Sequence, residues 1–306
     1  MKKEFNFIQT RKLCVIISLC IFAVGILFNL IFGTNMDITF SGGTRVRYSY
    51  TGSLDVNAVE KIAQDVLGDN AEAALENVDG TDVVSITLPD EISLDQQKTL
   101  NERFEKDLKA NEPKQVESNS LSATMGQWFF IKCLAAIALA AAFLLIYVGF
   151  RFRRIGGFSA GAFALLALVH DLLICYFVFV IFRIDIDDNF VAVMLTILGY
   201  SLNDTIVIFD RVRENRKRHK NMAIADVVNL SINQSFTRTL VTAVAVFIAI
   251  AVVVVVALIM QMDSILSFAL PMLFGVVSGF YSSVFLSAPL WSLWREKHGE
   301  KTKKKA

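Results

Sequence analysis

The chain has 306 residues, 54% of them hydrophobic, and a formal net charge of only +1. Charged residues are almost absent from several long windows and crowded between them, which excludes an ordinary soluble globule and marks a polytopic α-helical membrane protein. All four cysteines (Cys14, Cys20, Cys133, Cys175) lie inside apolar windows, so disulfide and zinc chemistry have no support; no metal, organic cofactor or nucleic-acid partner is expected.

Residues 13–32 carry no charge and are long enough to cross about 30 Å of hydrocarbon. Lys2, Lys3, Arg11 and Lys12 precede them. A cleaved signal peptide shares the basic start, but this apolar core is too long and no small-x-small cleavage site follows, so an uncleaved first span is expected. Five further windows, about 128–150, 157–182, 190–209, 239–260 and 265–290, bring the number of spans to six. Basic residues fix the orientation. Arg151, Arg153 and Arg154 fall between spans two and three, and Arg211, Arg213, Arg216, Lys217, Arg218 and Lys220 between spans four and five. Arg295, Lys297, Lys301, Lys303, Lys304 and Lys305 follow span six, whereas the opposite loops carry Asp185, Asp187, Asp188 and Asp263 with only Arg183. The positive-inside rule places both termini in the cytoplasm and residues 33–127 on the outer face of the plasma membrane. The expected division is 1–32 (cytoplasmic start and first span), 33–127 (outer domain), 128–294 (spans two to six) and 295–306 (basic cytoplasmic tail).

Within the outer domain, residues 44–50 alternate as a strand and end at Thr51-Gly52. Val59, Ile62, Ala63 and Val66 have helical spacing, closed by Gly68. Residues 72–78 and 82–88 read as strands joined at Asp79-Gly80, a dipeptide suited to a tight hairpin. A second helix over 92–110 and a last strand over 114–123 complete a β-α-β-β-α-β order, the ferredoxin-like split βαβ arrangement of an α+β domain. Gly42-Gly43 reads as a tight turn leading into it, not a phosphate loop, because no helix starts there. The domain has no His and no Cys, and its carboxylates are scattered, so its expected work is contact with another polypeptide rather than catalysis.

The chemically informative residues are polar groups inside the spans. His170 and Asp171 adjoin in span three; Gly199-Tyr200-Ser201-Leu202-Asn203-Asp204-Thr205 is a polar island in span four; Asn233, Gln234 and Arg238 open span five. An ionisable group at such depth costs several kcal/mol unless paired, hydrated or neutral, and generally faces a bundle interior or a water-filled path. Spans four and five run antiparallel, which puts Asp204 and Arg238 at similar depth and makes them a candidate proton-coupling pair. The alternatives are a static Asp204 anchor, a self-satisfied His170–Asp171 packing element and an Arg238 that snorkels to the interface. Asp210 to Glu214 and the basic residues after it read as a solvated loop. Gly275 and Gly279 with Ser278 and Ser282, and the alanine-rich span two, read as close helix-packing faces. Nucleophile motifs and HExxH are absent from the sequence, so an enzyme is not expected.

Four stretches carry a family resemblance: Phe40-Ser41-Gly42-Gly43-Thr44; Val169-His170-Asp171; Gly199 through Thr205 continuing into Phe209-Asp210-Arg211-Val212-Arg213-Glu214-Asn215; and Ser235-Phe236-Thr237-Arg238-Thr239-Leu240. Together they resemble the SecF family, the smaller membrane subunits of bacterial SecD–SecF protein-export complexes, within the resistance-nodulation-division superfamily. Asp37-Ile38-Thr39-Phe40 only approximates that family's Gly-x-Asp-Phe form. The resemblance implies an auxiliary subunit that pairs with SecD, assists the SecY–SecE–SecG channel and uses the proton motive force at late stages of preprotein export. Protons are then the coupling ion, the outer domain holds unfolded preprotein, and Asp204 and Arg238 work with an aspartate supplied by SecD. Tyr200, Asn203 and Thr205 of the fourth-span motif, with His170 and Asp171, are candidates for a polar relay or for packing. A proton-driven small-molecule efflux protein of the same superfamily is the alternative.

Overall fold

The structure, a computed structural model, describes residues 5–78 and 80–303. Inside hydrocarbon the backbone must satisfy its own hydrogen bonds, so each long apolar window becomes a helix. Among the described residues six helices are long and apolar enough to cross a membrane: α1 (Phe7–Phe32), α5 (Ala123–Arg151), α6 (Gly157–Ile181), α7 (Asp188–Arg218), α8 (Ile224–Met260) and the continuous sixth span. That last span is built from α9 (Asp263–Tyr281), a π-helical segment (Ser282–Ser287) and α10 (Ala288–Lys303). The chain is a multi-pass membrane protein. α6 and α7 bury about half of their most apolar stretch, α5 almost none. The bundle is therefore centred on α6, α7 and α9.

A short helix α2 (Ile38–Ser41) follows the first span, its N-terminus capped by Asp37, which accepts from the Thr39 amide. Then come β1 (Gly43–Ser49), α3 (Val56–Leu67), β2 (Glu72–Val78), β3 (Thr81–Leu88), α4 (Leu94–Asp107) and β4 (Lys114–Leu121). This is the expected β-α-β-β-α-β order. The strands lie side by side as β2-β3-β1-β4, every neighbouring pair antiparallel. One face of the sheet is apolar because alternate residues point the same way. Val46, Tyr48, Val84 and Ile86 are buried there against Val59 and Ala63 of α3 and Leu100 and Phe104 of α4. On β1 the opposite alternation puts Arg47 between Glu76 (3.1 Å) and Glu117 (2.7 Å). In the hairpin the Gly80 amide donates to Asn77 Oδ1; Asp79, expected at that turn, lies outside the described residues. At the entrance to the sheet, Gly42 and Gly43 have φ of 78° and 121°. A Cβ on Gly42 would stand 2.3 Å from Ala123 Cα, and one on Gly43 would stand 2.3 Å from the Leu88 carbonyl oxygen. Only glycine meets both demands of that turn.

Three local expectations need correction. The residues after Phe209 are not a solvated loop: α7 continues to Arg218 and the connection to α8 is only 219–223. Ion pairs one turn apart carry the helix out of its apolar stretch, Asp210–Arg213 (2.9 Å), Arg211–Glu214 (2.6 Å) and Glu214–Arg218 (2.6 Å), and Arg151 of α5 meets Asp210 at 2.8 Å. The fifth helix starts at Ile224, far ahead of residue 239, because Val227, Val228 and Ile232 are buried beneath its polar face. The alanines of the second span form a packing face only in part: Ala140 and Ala141, with Ile137 and Leu144, lie against the bundle core. Ala135, Ala136, Ala138 and Ala142 are exposed, and α5 buries Gly126, Val148 and Gly149 near its two ends.

A hydrogen-bonded joint ties the sheet to the bundle. Met36 pairs with Ile186 as a parallel bridge, Ile186 donating its amide to the Asn35 carbonyl (2.9 Å) and Asp37 donating its own to Ile186 (3.2 Å). The Asp37 carboxylate also pairs with Arg45 of β1. Burial raises the energy of that charge, but hydrogen bonds from Thr39 and the Arg45 guanidinium outweigh it and hold the carboxyl below the usual carboxylate range. The joint thus links the sheet directly to the segment that enters α7.

Candidate functional site

Asp171 of α6 is fully buried in the middle of the bundle. Its Oδ1 accepts from Ser278 Oγ of α9 (2.6 Å) and faces His170 Nδ1 at 3.0 Å. Its Oδ2 accepts from Ser201 Oγ of α7 (2.5 Å) and from Ser282 Oγ of the π segment (2.7 Å). The other ring nitrogen, His170 Nε2, lies 3.1 Å from Ser18 Oγ of α1. Ser18 in turn is 3.2 Å from Tyr281 Oη, which donates to the Cys14 carbonyl (2.6 Å). The imidazole packs between the rings of Phe22 and Tyr281, with centroids 5.2 and 5.9 Å away. Four spans therefore converge on one His–Asp pair.

The sixth span can reach this pair twice because of its local form. Gly275 and Gly279 let α9 close on α7: a Cβ on Gly275 would meet Ile197 Cδ1 at 2.4 Å, and one on Gly279 would meet Ser201 Cβ at 3.1 Å. Ser278 and Ser282, one turn apart, then point at Asp171. The wider π turn also keeps Ser283 inward, its Oγ 2.8 Å from Thr205 Oγ1 and donating to the Ser201 carbonyl (3.3 Å). The packing face expected from these glycines and serines is present, and the hydroxyls add a second use.

Asp204 is differently placed. It is buried, one turn beyond Ser201 on α7, and its Oδ2 has no hydrogen-bond partner among the described residues. Tyr200, four residues earlier on the same side of α7, has a buried Oη that likewise lacks one. Arg238 stands on the neighbouring helix α8 but forms no ion pair with Asp204. It is exposed and lines a cavity of about 570 Å³ with Val207, Asp210, Glu214 and Ser235. The structure thus brings His170, Asp171 and Thr205 into hydrogen-bonded contact with the bundle core. Among the described residues, Asp204 Oδ2 and Tyr200 Oη are left without a hydrogen-bond partner. Asn203 is exposed on the opposite face of α7, away from the network.

Sequence reasoning did not single out Ser18, Tyr281 or Ser283. Their signal was weak, since one hydroxyl in an apolar helix commonly bonds back to its own backbone. A stronger signal was available in the Ser278/Ser282 spacing, where two hydroxyls on one face of an apolar span suggest a shared acceptor on another helix.

Comparison with known proteins places this geometry in context. Residues 100–297 match the family described as protein export membrane protein SecD/SecF, C-terminal. The protein translocase subunit SecDF of Bacillus subtilis is 33% identical over 98% of this chain, which spans 39% of that relative's length. The protein translocase subunit SecF of Alicyclobacillus acidocaldarius is 31% identical over 98% of this chain and is covered over 96% of its own length. Among solved structures, SecDF of Thermus thermophilus, described as a translocon-associated membrane protein, superposes with a TM-score of 0.80 at 24% identity, over 96% of this chain and 39% of that one.

Proposed function

The chain belongs to the SecD/SecF family of protein-export membrane proteins, and from that premise we propose that it is an auxiliary subunit of the Sec translocase which, with SecD, uses the proton motive force to promote late stages of preprotein export. The observation that carries this reading is the Asp204 carboxylate, buried inside a membrane-spanning helix with one oxygen that has no hydrogen-bond partner among the described residues. A charge held there without a partner is costly, and a static anchor would be expected to have found hydrogen bonds as Asp171 has. A carboxylate that is neutral in one state and charged in another has a reason to lack them.

Arg238 supplies the second state. It stands on the adjacent helix at an open cavity, so a modest movement of α7 against α8 brings a guanidinium to the carboxylate. Pairing favours release of the proton and separation favours its uptake. The sheet domain, placed by the charge distribution on the outer face with both termini in the cytoplasm, is the part that holds emerging unfolded preprotein. Its joint with residues 35–37 and 184–186 gives movement of α7 a short path to the sheet. SecD and the SecY–SecE–SecG channel are the partners in this scheme, and SecD supplies a further carboxylate. None of these steps calls for a covalent reaction by this chain.

The test is export of a slow-folding secreted protein into vesicles carrying SecD with either the native chain or Asp204→Asn, at constant ATP, with and without a protonophore. The expected result is loss of the gradient-dependent part of export while Asp204→Asn still inserts and binds SecD. Full gradient dependence in Asp204→Asn would make Asp204 a packing residue and end the proton-coupling reading.

A further inference from the structure

A carboxylate has about four lone-pair positions for hydrogen bonds. At Asp171 three of them receive hydroxyl donors, Ser278 at Oδ1 and Ser201 and Ser282 at Oδ2, and His170 Nδ1 lies 3.0 Å from Oδ1. Asp171 thus accepts from three helical segments at once, and a buried hydroxyl that lost it would be left without an acceptor. One of its donors, Ser201, belongs to α7 and lies one turn before Asp204. On the other flank, Ser283 holds the Ser201 carbonyl and the Thr205 hydroxyl, and Thr205 directly follows Asp204. The turn of α7 that bears Asp204 is thus gripped from α6 and from the π segment, while Asp204 Oδ2 bonds to neither. Because side chains on a helix are spaced by about 100° per residue, a grip at 201 and 205 fixes where 204 points.

We propose that Asp171 is a positioning residue: through Ser201 it fixes the rotation of α7 about its own axis and so aims Asp204 at the side where α8 carries Arg238. This rests on the reading of Asp204 as the proton-coupling group, but it makes a separate claim about geometry. Of the donors to Asp171, only Ser201 transmits that geometry directly to α7. Ser278 belongs to α9 and serves only to hold Asp171.

The experiment measures the initial rate at which a hydrophobic carbodiimide modifies Asp204, by peptide mapping of the full chain in native membranes with its partners present. The chains compared are native, Asp171→Asn, Ser201→Ala and Ser278→Ala. Releasing α7 should change the rate at Asp204 by about three- to tenfold in both Asp171→Asn and Ser201→Ala, and by less than about twofold in Ser278→Ala. An unchanged rate in Ser201→Ala overturns the proposal. So does an equal change in Ser278→Ala, which would mean general loosening of the core. Failure of the proton-coupling reading is distinct: it appears as gradient-dependent export in Asp204→Asn, whatever the labelling rates show.

Discussion

Asp171 and Asp204 are both buried carboxylates within membrane-spanning helices, yet their surroundings are opposite. Asp171 has three hydroxyl donors and an imidazole nitrogen arranged around two oxygens, drawn from α6, α7, α9 and the π segment. Asp204 has a buried oxygen that meets no donor among the described residues. The first arrangement ties the bundle together, and the second leaves an oxygen that ties nothing. Two carboxylates can be equally buried and still differ in how far the fold satisfies them.

The contrast is broken most directly by removing each carboxylate and measuring stability. Asp171→Ala leaves three serine hydroxyls and an imidazole without their shared acceptor, and should destabilise the solubilised chain by about 2–4 kcal/mol. Asp204→Asn removes no hydrogen bond at Oδ2 and should stay within about 0.5 kcal/mol of the native chain. Thermal unfolding in a mild detergent reads both, and equal losses would erase the distinction.

A second change sharpens the geometry around Asp171. Gly275→Ala would place a methyl within 2.4 Å of Ile197 Cδ1 and 2.8 Å of Cys175 Sγ, forcing α9 away from α6 and α7. Overpacking of this kind costs about 1–3 kcal/mol. It should also loosen the Ser278 and Ser282 bonds to Asp171 in the next turn, while Gly199→Ala, which meets open space, should be nearly neutral. Unfolding of the two variants side by side checks this.

The smallest effect belongs to the joint between sheet and bundle. The Asp37 carboxyl is held below the usual range, so the stability it contributes is present above its unfolded value of about 3.9 and is lost as pH falls through its lower folded value. Melting of the native chain should therefore weaken slightly more between about pH 5 and pH 3 than melting of Asp37→Asn, whose joint no longer titrates. Parallel pH dependence in the two chains would show that the Arg45 pair adds nothing to this joint.

Much of the fold was legible because membrane and sheet patterns are periodic and local. Uncharged windows long enough to span and the alternation of Val46 and Tyr48 report directly on what surrounds the backbone. The ends of α7 and α8 were not legible. Asp210, Arg211 and Glu214 look like loop residues by composition, and helix is chosen only by ion pairs along it and by Arg151 arriving from α5. The alanines of α5 were legible only in part: Ala140 and Ala141 meet the core while Ala135, Ala136, Ala138 and Ala142 do not, because small residues permit close packing but do not require a neighbour.

At the candidate site, the sequence by itself determined which residues stood out: polar and ionisable groups in windows where water is scarce, His170, Asp171, Asp204 and Arg238 among them. It also determined the six spans and the order of the sheet domain, since both follow from interactions between near neighbours in the chain. Only the tertiary structure decided which carboxylate is satisfied. Ser201 and Ser282 lie far from Asp171 in sequence, and their hydroxyls reach it only because glycines let α9 close on α7 and a π turn keeps two consecutive serines facing inward. Hydrogen-bond satisfaction depends on ångström-scale placement of groups from separate helices, and one-dimensional periodicity carries no record of that.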